Sequence, residues 1–214
     1  MITHLSEELW FPDISSATGD GLLAMGGDLS VERLKLAYRS GIFPWYDDGQ
    51  PIMWWSPDPR MVLFPEKLHV SKSLRRKIAK GRFRVTFNTA FSEVIENCSV
   101  IIRKDQAGTW ISPEMIAAYS QLHTIGWAGS VEVWEDGNLV GGLYGVDIKE
   151  YKVFCGESMF SLISDASKIA LFYLRQHLLQ KDYKLIDCQM YTDHLSSLGA
   201  EEISRESFRS YLTP

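Results

Sequence analysis

Two short segments put carboxylates where carboxylates are costly. Glu157 stands in Phe154-Cys155-Gly156-Glu157-Ser158-Met159-Phe160-Ser161, an apolar strand-to-helix stretch continued by Ala166-Ser167-Lys168. Asp187 stands in Ile186-Asp187-Cys188-Gln189, which reads as a short strand. A carboxylate in apolar surroundings is expensive unless it is paired or used. On a strand, residues two apart face the same way, so Asp187 and Gln189 form a pair. Asp187 can then accept a proton or polarise Gln189, while Gln189 orients a substrate group. The alternative is that Asp187 only holds loop backbone. Glu157 can pair with a cation, hold a water or cap the following helix. Two such sites suggest chemistry on a cationic or amine-bearing substrate.

The elements that must position these groups are read from punctuation and periodicity. Ser30 caps a helix carrying Leu34, Ala37 and Tyr38, and Gly41 stops it. The aromatic stretch from Phe43-Pro44-Trp45-Tyr46 to Trp54-Trp55-Ser56-Pro57-Asp58-Pro59-Arg60 reads as loop, because its prolines forbid a long helix or central strand. A lobe boundary falls near Pro59 to Pro65, dividing a small N-terminal domain (1–62) from a larger one (63–214). Residues 71–80 form a basic helix closed by Gly81. Phe83, Val85 and Phe87 alternate as in a half-buried strand, and 89–97 looks helical. Ser112-Pro113-Glu114 opens a helix that runs to Gly126. Runs 130–135 and 138–147 make a hairpin through Asp136-Gly137, followed by a third run, Tyr151–Cys155. A largely buried helix starts at Ser164 or Asp165 and ends at Leu179, a strand covers Lys184–Cys188, and a last helix covers about Arg205 to Leu212. The fold class is α/β (α+β), a mixed sheet with a small N-terminal lobe.

Composition narrows the function classes. The 214 residues are 45 % hydrophobic and 23 % charged, as expected of a soluble globular protein. No apolar run approaches the roughly 18 residues of a membrane span. The opening Met1-Ile2-Thr3-His4 lacks a basic-then-apolar secretory pattern, so a cytoplasmic protein with no membrane association is expected. Cys98, Cys155 and Cys188 have no metal spacing, and no His/Cys/acid cluster suggests a metal or other cofactor. His69 and His194 read as structural. The net charge of -5 argues against nucleic acid, but eight Lys/Arg and no acid lie between Lys67 and Arg84, leaving -13 on the rest. Such a block is either a phosphate footprint or a solvated helix face.

Several of these segments, with Gly21 to Ser30, Gly108-Thr109-Trp110-Ile111 and Leu139-Val140-Gly141-Gly142-Leu143-Tyr144-Gly145, resemble the leucyl/phenylalanyl-tRNA–protein transferase family from about Phe11 to beyond Gly199. The resemblance implies a GNAT-like larger domain. It implies transfer of Leu, Phe or Met from aminoacyl-tRNA to the α-amine of proteins beginning with Arg or Lys, marking them for N-end-rule degradation. Asp187 and Gln189 match residues proposed in the family as a proton relay, and an alternative there uses the tRNA's own ribose hydroxyl. The sequence departs from the family pattern at Gly129, usually His, and in the polar turn Asp147-Ile148-Lys149-Glu150. Leu143, Met in some members, bears on the amino-acid pocket.

With the family in view, the other candidate residues take roles. Glu157 binds the cationic acceptor and Ser161 adds a hydrogen bond. Met159, Leu143, Phe154 and Leu174 line a pocket for the transferred side chain or else are ordinary core. Trp45 and Trp110 stack on the terminal adenosine, and stacking of this kind contributes roughly 1–3 kcal/mol per base. Trp54 and Trp55 do the same or pack the two lobes together. Lys72, Arg75, Arg76, Lys77, Lys80, Arg82 and Arg84 contact the tRNA acceptor arm. The competing readings are an acetyl-CoA-dependent N-acetyltransferase and a non-catalytic tRNA-binding protein. The first lacks its glycine-rich pyrophosphate cradle, since Gly156 is the only glycine between Cys155 and Asp165.

Overall fold

A computed structural model of the chain describes residues 2–101 and 110–213. Gly108 and Thr109, two of the family-like residues, lie outside these. The strands are β1 (Thr3–Leu5), β2 (Leu22–Gly26), β3 (Phe43–Pro44), β4 (Met53–Trp55), β5 (Arg60–Leu63), β6 (Arg84–Phe87), β7 (Ala128–Glu135), β8 (Asn138–Ile148), β9 (Val153–Ser161), β10 (Leu185–Gln189) and β11 (Glu201–Ile203). The α-helices are α1 (Val31–Arg39), α2 (Lys72–Ala79), α3 (Phe91–Val100), α4 (Pro113–Thr124), α5 (Ala166–Gln180), α6 (Asp193–Ser197) and α7 (Arg205–Ser210).

Local chemistry explains most helix starts. The hydroxyls of Ser30, Ser71 and Ser112 accept from the amides of Arg33, Leu74 and Met115, each satisfying an otherwise orphaned donor. Asp136 and Gly137 both adopt positive φ, the requirement of the tight turn joining β7 to β8. The start of α5 differs. Asp165 is left-handed and its side chain caps nothing, and Ser161 at the end of β9 accepts from the Ser167 amide at 2.8 Å instead.

The strands form a four-stranded sheet, β1-β2-β4-β3, and a seven-stranded sheet, β11-β5-β10-β9-β8-β7-β6. In the larger sheet only β9 and β10 run parallel, and α5 supplies the crossover that parallel strands require. Its two faces bury separate cores. Tyr144, Val146, Val153, Cys155 and Leu185 pack with α3, α4 and the N-terminal lobe, while Val140, Leu143, Phe154 and Ile186 pack with α5. The first core also holds Leu34, Tyr38, Phe43 and Trp54, so both lobes share it.

The fold class is as expected, a mixed α/β domain with a small N-terminal lobe. Two readings are corrected. The aromatic stretch 43–60 is not all loop, because β3 and β4 complete the small sheet and β5 begins at Arg60, with all four of its residues in the larger sheet. The run expected to stop at Cys155 continues as strand to Ser161, so Glu157 lies within β9 and caps no helix.

Candidate active site

The ladder between β9 and β10 ends at the pair Cys155–Asp187. Beyond it the two chains part, and residues 156–161 of β9 and 188–192 after the ladder line opposite parts of a cleft of about 720 Å³. Trp45 from the N-terminal lobe and Trp110 before α4 complete its wall. Of the residues expected from sequence, Glu157, Met159, Ser161, Leu143, Leu174, Gln189, Trp45 and Trp110 all line this one cleft. Leu63, Leu171 and Ile186 enlarge its apolar part.

Two expected residues do not line it. Phe154 shares the α5-side core with Leu143 and Ile186, but its ring lies against the backbone of Gly145 instead of the cleft. Asp187 is fully buried beneath the cleft, and the expected same-side pairing with Gln189 is broken by a bulge. Asp187 pairs with Val62 and Gln189 with Met61, so Cys188 is the extra residue and Gln189 takes φ +58°. The side chain of Gln189 is thereby diverted to the cleft. With its NH₂ directed at acceptors, it donates to the carbonyls of Gly156 at 3.0 Å and Cys188 at 3.2 Å.

Asp187 is held on both oxygens. Arg60 Nε donates to Oδ1 at 2.8 Å and Nη2 to Oδ2 at 2.7 Å, and the Gln189 amide donates to Oδ1 at 3.0 Å. Burial acts to lower the Arg60 pKa, but the Asp187 charge and its hydrogen bonds, with Cys155 and Glu157 nearby, together outweigh it and leave the guanidinium above its ordinary value. Bidentate pairing satisfies two buried charges that would each be costly alone.

Glu157 sits in a different environment. Tyr119 donates to Oε2 at 3.2 Å, Tyr38 is hydrogen-bonded to the Tyr119 hydroxyl, and Oε1 is buried with no hydrogen-bond partner among the described residues. Burial pushes the Glu157 pKa up to about 8, the Tyr38 hydroxyl pulls against it, and the Asp187 charge adds to the rise. The acid is therefore protonated near neutrality and ready to ionise beside a cation. Sequence reading takes Tyr38 as an apolar contact on its helix, and Tyr119 falls in the helix opened by Ser112-Pro113-Glu114. Their hydroxyls meet only because the two helices pack, across 81 residues of sequence.

The remaining candidates divide by surroundings. Trp54 is buried, edge-on to Phe11, and donates to the Gly26 carbonyl, so it packs inside the N-terminal lobe. Trp55 donates to the Trp45 carbonyl at 2.6 Å and supports that residue's wall of the cleft. Ser161 is engaged at both ends of its hydroxyl with Ser167, anchoring α5. Lys72, Arg75, Arg76 and Lys80 on and just after α2 are exposed, as are Arg82 and Arg84. Lys77 instead binds Asp165 at 2.6 Å and the Ser164 carbonyl at 2.9 Å. His194, read as structural, lines the cleft. Among the described residues no group of three or more His, Cys, Asp or Glu could hold a metal ion, and no helix is long and apolar enough to cross a membrane.

Two family models match the chain, leucyl/phenylalanyl-tRNA protein transferase over residues 62–213 and the N-terminal domain of the same enzyme over 27–58. The chain belongs to the leucyl/phenylalanyl-tRNA–protein transferase family. It is similar to the leucyl/phenylalanyl-tRNA–protein transferase of Flavobacterium johnsoniae, with 58 % identity over 98 % of each chain. It is also similar to that of Pectobacterium carotovorum, with 52 % identity over 97 % of this chain and 88 % of the other. Among solved structures, a GCN5-related N-acetyltransferase from Kribbella flavida aligns with TM-score 0.39 and 13 % identity, covering 79 % of this chain and 60 % of that one. As a leucyl/phenylalanyl-tRNA–protein transferase the chain is an enzyme, an aminoacyltransferase drawing on aminoacyl-tRNA.

Proposed function

We propose that this enzyme moves leucine, phenylalanine or methionine from the 3′ end of aminoacyl-tRNA to the α-amine of proteins that begin with Arg or Lys. It acts in the cytoplasm, and the added residue marks the acceptor for N-end-rule degradation. The observation that carries this reading is a single cleft holding an apolar region, an amide and a buried acid with an unpartnered oxygen.

Each part takes one portion of the two substrates. Leu143, Met159 and Leu174 receive the transferred side chain. An apolar pocket separates related side chains weakly, since one methylene contributes about 1–3 kcal/mol, which suits a donor set of Leu, Phe and Met. Trp45 and Trp110 stack on the terminal adenosine. Glu157 Oε1 receives the cationic acceptor residue and ionises as it does so. Arg75, Arg76 and Lys80, with Lys72, Arg82 and Arg84, contact acceptor-arm phosphates, which are sequence-blind and therefore suit several tRNAs. Lys77 holds α2 against the start of α5.

The chemistry is aminolysis of an ester. The acceptor nitrogen bonds to the carbonyl carbon, the bond from that carbon to the ribose oxygen breaks, and one amine proton passes to the ribose oxygen. A free α-amine has a pKa of about 7.7–8.0, so much of it must lose a proton before it attacks. Positioning supplies roughly 7–11 kcal/mol in favourable cases and general-base catalysis about 10²–10⁴-fold, so orientation dominates. Gln189, with its NH₂ engaged by Gly156 and Cys188, keeps Oε1 to accept from the amine. Both oxygens of Asp187 are occupied, which favours a neighbouring ribose hydroxyl over Asp187 as proton carrier.

The test is mass spectrometry of an Arg-initiated peptide incubated with the enzyme and leucyl-tRNA, with acetyl-CoA replacing the tRNA as control. The peptide is expected to gain one leucine residue with the tRNA and nothing with acetyl-CoA. A peptide that stays unchanged, or is acetylated, overturns the reading.

A further inference from the structure

Arg60 is remote from the residues that sequence reading assigns to chemistry, yet it connects to one of them through a closed set of contacts. Its guanidinium lies between the rings of Phe43 and Phe208, 4.7 and 4.6 Å from their centroids. Nη1 donates to the Gly41 carbonyl at 3.1 Å, just after α1, and Nε and Nη2 hold the two oxygens of Asp187. The faces and edges of the group that carry a contact are thus set by three segments: the N-terminal lobe, the C-terminal helix and β10.

We propose that Arg60 is a positioning residue for aminoacyl transfer, fixing through Asp187 the bulged turn that presents Gln189 to the cleft. The turn needs such support. Gln189 is left-handed, a conformation that side chains other than glycine's disfavour. Its amide is held by Asp187 Oδ1, the oxygen whose direction Arg60 Nε sets. A planar fork fixes both oxygens and hence the plane of the carboxylate, whereas a lysine ammonium is a point charge and fixes only one distance. If the carboxylate rotates, the Gln189 amide loses its acceptor and the residue can relax into regular strand geometry, which turns its side chain away from the cleft. The inference rests on the reading of Gln189 as the group that orients the amine.

The experiment is a double-mutant cycle. Arg60→Lys is combined with Gln189→Ala, and kcat and KM for leucyl-tRNA and an Arg-initiated peptide are measured with each variant's melting temperature. Arg60→Lys alone is expected to lower kcat by about ten- to a hundredfold, the scale of a misplacement near 1 Å, with KM for tRNA changed less than about threefold. In the Gln189→Ala background the same change is expected to cost little more, because its target is already gone. A merely structural role predicts equal losses in both backgrounds, and that result, or an unchanged kcat, overturns the proposal. If Arg60→Lys does not fold, Phe208→Leu loosens the guanidinium while keeping both charges, and the same two outcomes decide. A Gln189→Ala enzyme with full kcat removes the premise and the proposal together. Absence of leucyl transfer by the unaltered enzyme overturns the functional reading itself, so the failures are distinguishable.

Discussion

Glu157 and Asp187 are both buried acids, and their neighbours give them opposite properties. Asp187 faces a guanidinium; Glu157 faces two tyrosine hydroxyls and carries a pKa near 8. The ordinary glutamate value is 4.5, so between pH 4.5 and about 8 the folded chain holds a proton that the unfolded chain has lost. Stability from this group is therefore intact below pH 4.5 and falls as pH rises through about 8. Glu157→Gln removes the titration. Its unfolding free energy, measured by urea denaturation, is expected to exceed the parent's by a margin that widens between about pH 5 and pH 8.5, on the order of a few kcal/mol at the upper end. A margin that does not change with pH would show that Glu157 carries no extra proton. In turnover, the same variant is expected to raise KM for an Arg-initiated peptide by about tenfold or more, the scale for removing a charged partner, and to change kcat less. Gln189→Ala is expected to lower kcat by about tenfold or more while the Kd for tRNA stays near the parent's, as read by single-turnover kinetics and filter binding.

At the scale of elements, β8 and β9 approach closely at Gly145, next to the part of β9 that lines the cleft. A Cβ on Gly145 would stand 2.1 Å from the Cys155 carbonyl oxygen and 2.6 Å from the Phe154 ring, so backbone itself would have to move. The register shift between Tyr144 and Gly145 lies here, where β9 passes from pairing with β10 to forming the cleft wall. Gly145→Ala is expected to destabilise the fold by about 1–3 kcal/mol, measured by urea unfolding. The position also explains why sequence reading ends β9 too early. Gly156-Glu157-Ser158 has no strand alternation of its own, and a stretch of this kind becomes strand because β8 offers it hydrogen bonds along its length. The caps at Ser30 and Ser112 and the Asp136-Gly137 turn are legible because each works within three residues.

For the whole molecule, charge distribution matters more than net charge. The basic cluster on and after α2 stands on an otherwise acidic chain, and its members other than Lys77 are exposed. Reversing the charges of Arg75, Arg76 and Lys80 is expected to weaken tRNA binding. It should also reduce the slope of log affinity against log salt by about 0.7–0.9 for each phosphate no longer neutralised, as measured by titration at several salt concentrations. An unchanged slope would move the tRNA site elsewhere. Lys77 belongs to a different class although the sequence groups it with the others, because its ammonium ties α2 to Asp165 at the head of α5.

The sequence by itself determined the described helices other than α6, the caps at Ser30 and Ser112, the β7–β8 hairpin, the mixed α/β class, the family, and eight of the residues that line the cleft. These are properties of neighbours in the chain, or of motifs long enough to be distinctive. Only the tertiary structure decided that Asp187 is clamped and Glu157 holds a proton. Strand periodicity puts Asp187 and Gln189 on one face, and a bulge separates them. Arg60 is named in the sequence only as the last residue of a motif, while its partner lies 127 positions away. A side chain's protonation and aim depend on what surrounds it in space, and segments distant in sequence supply those surroundings here.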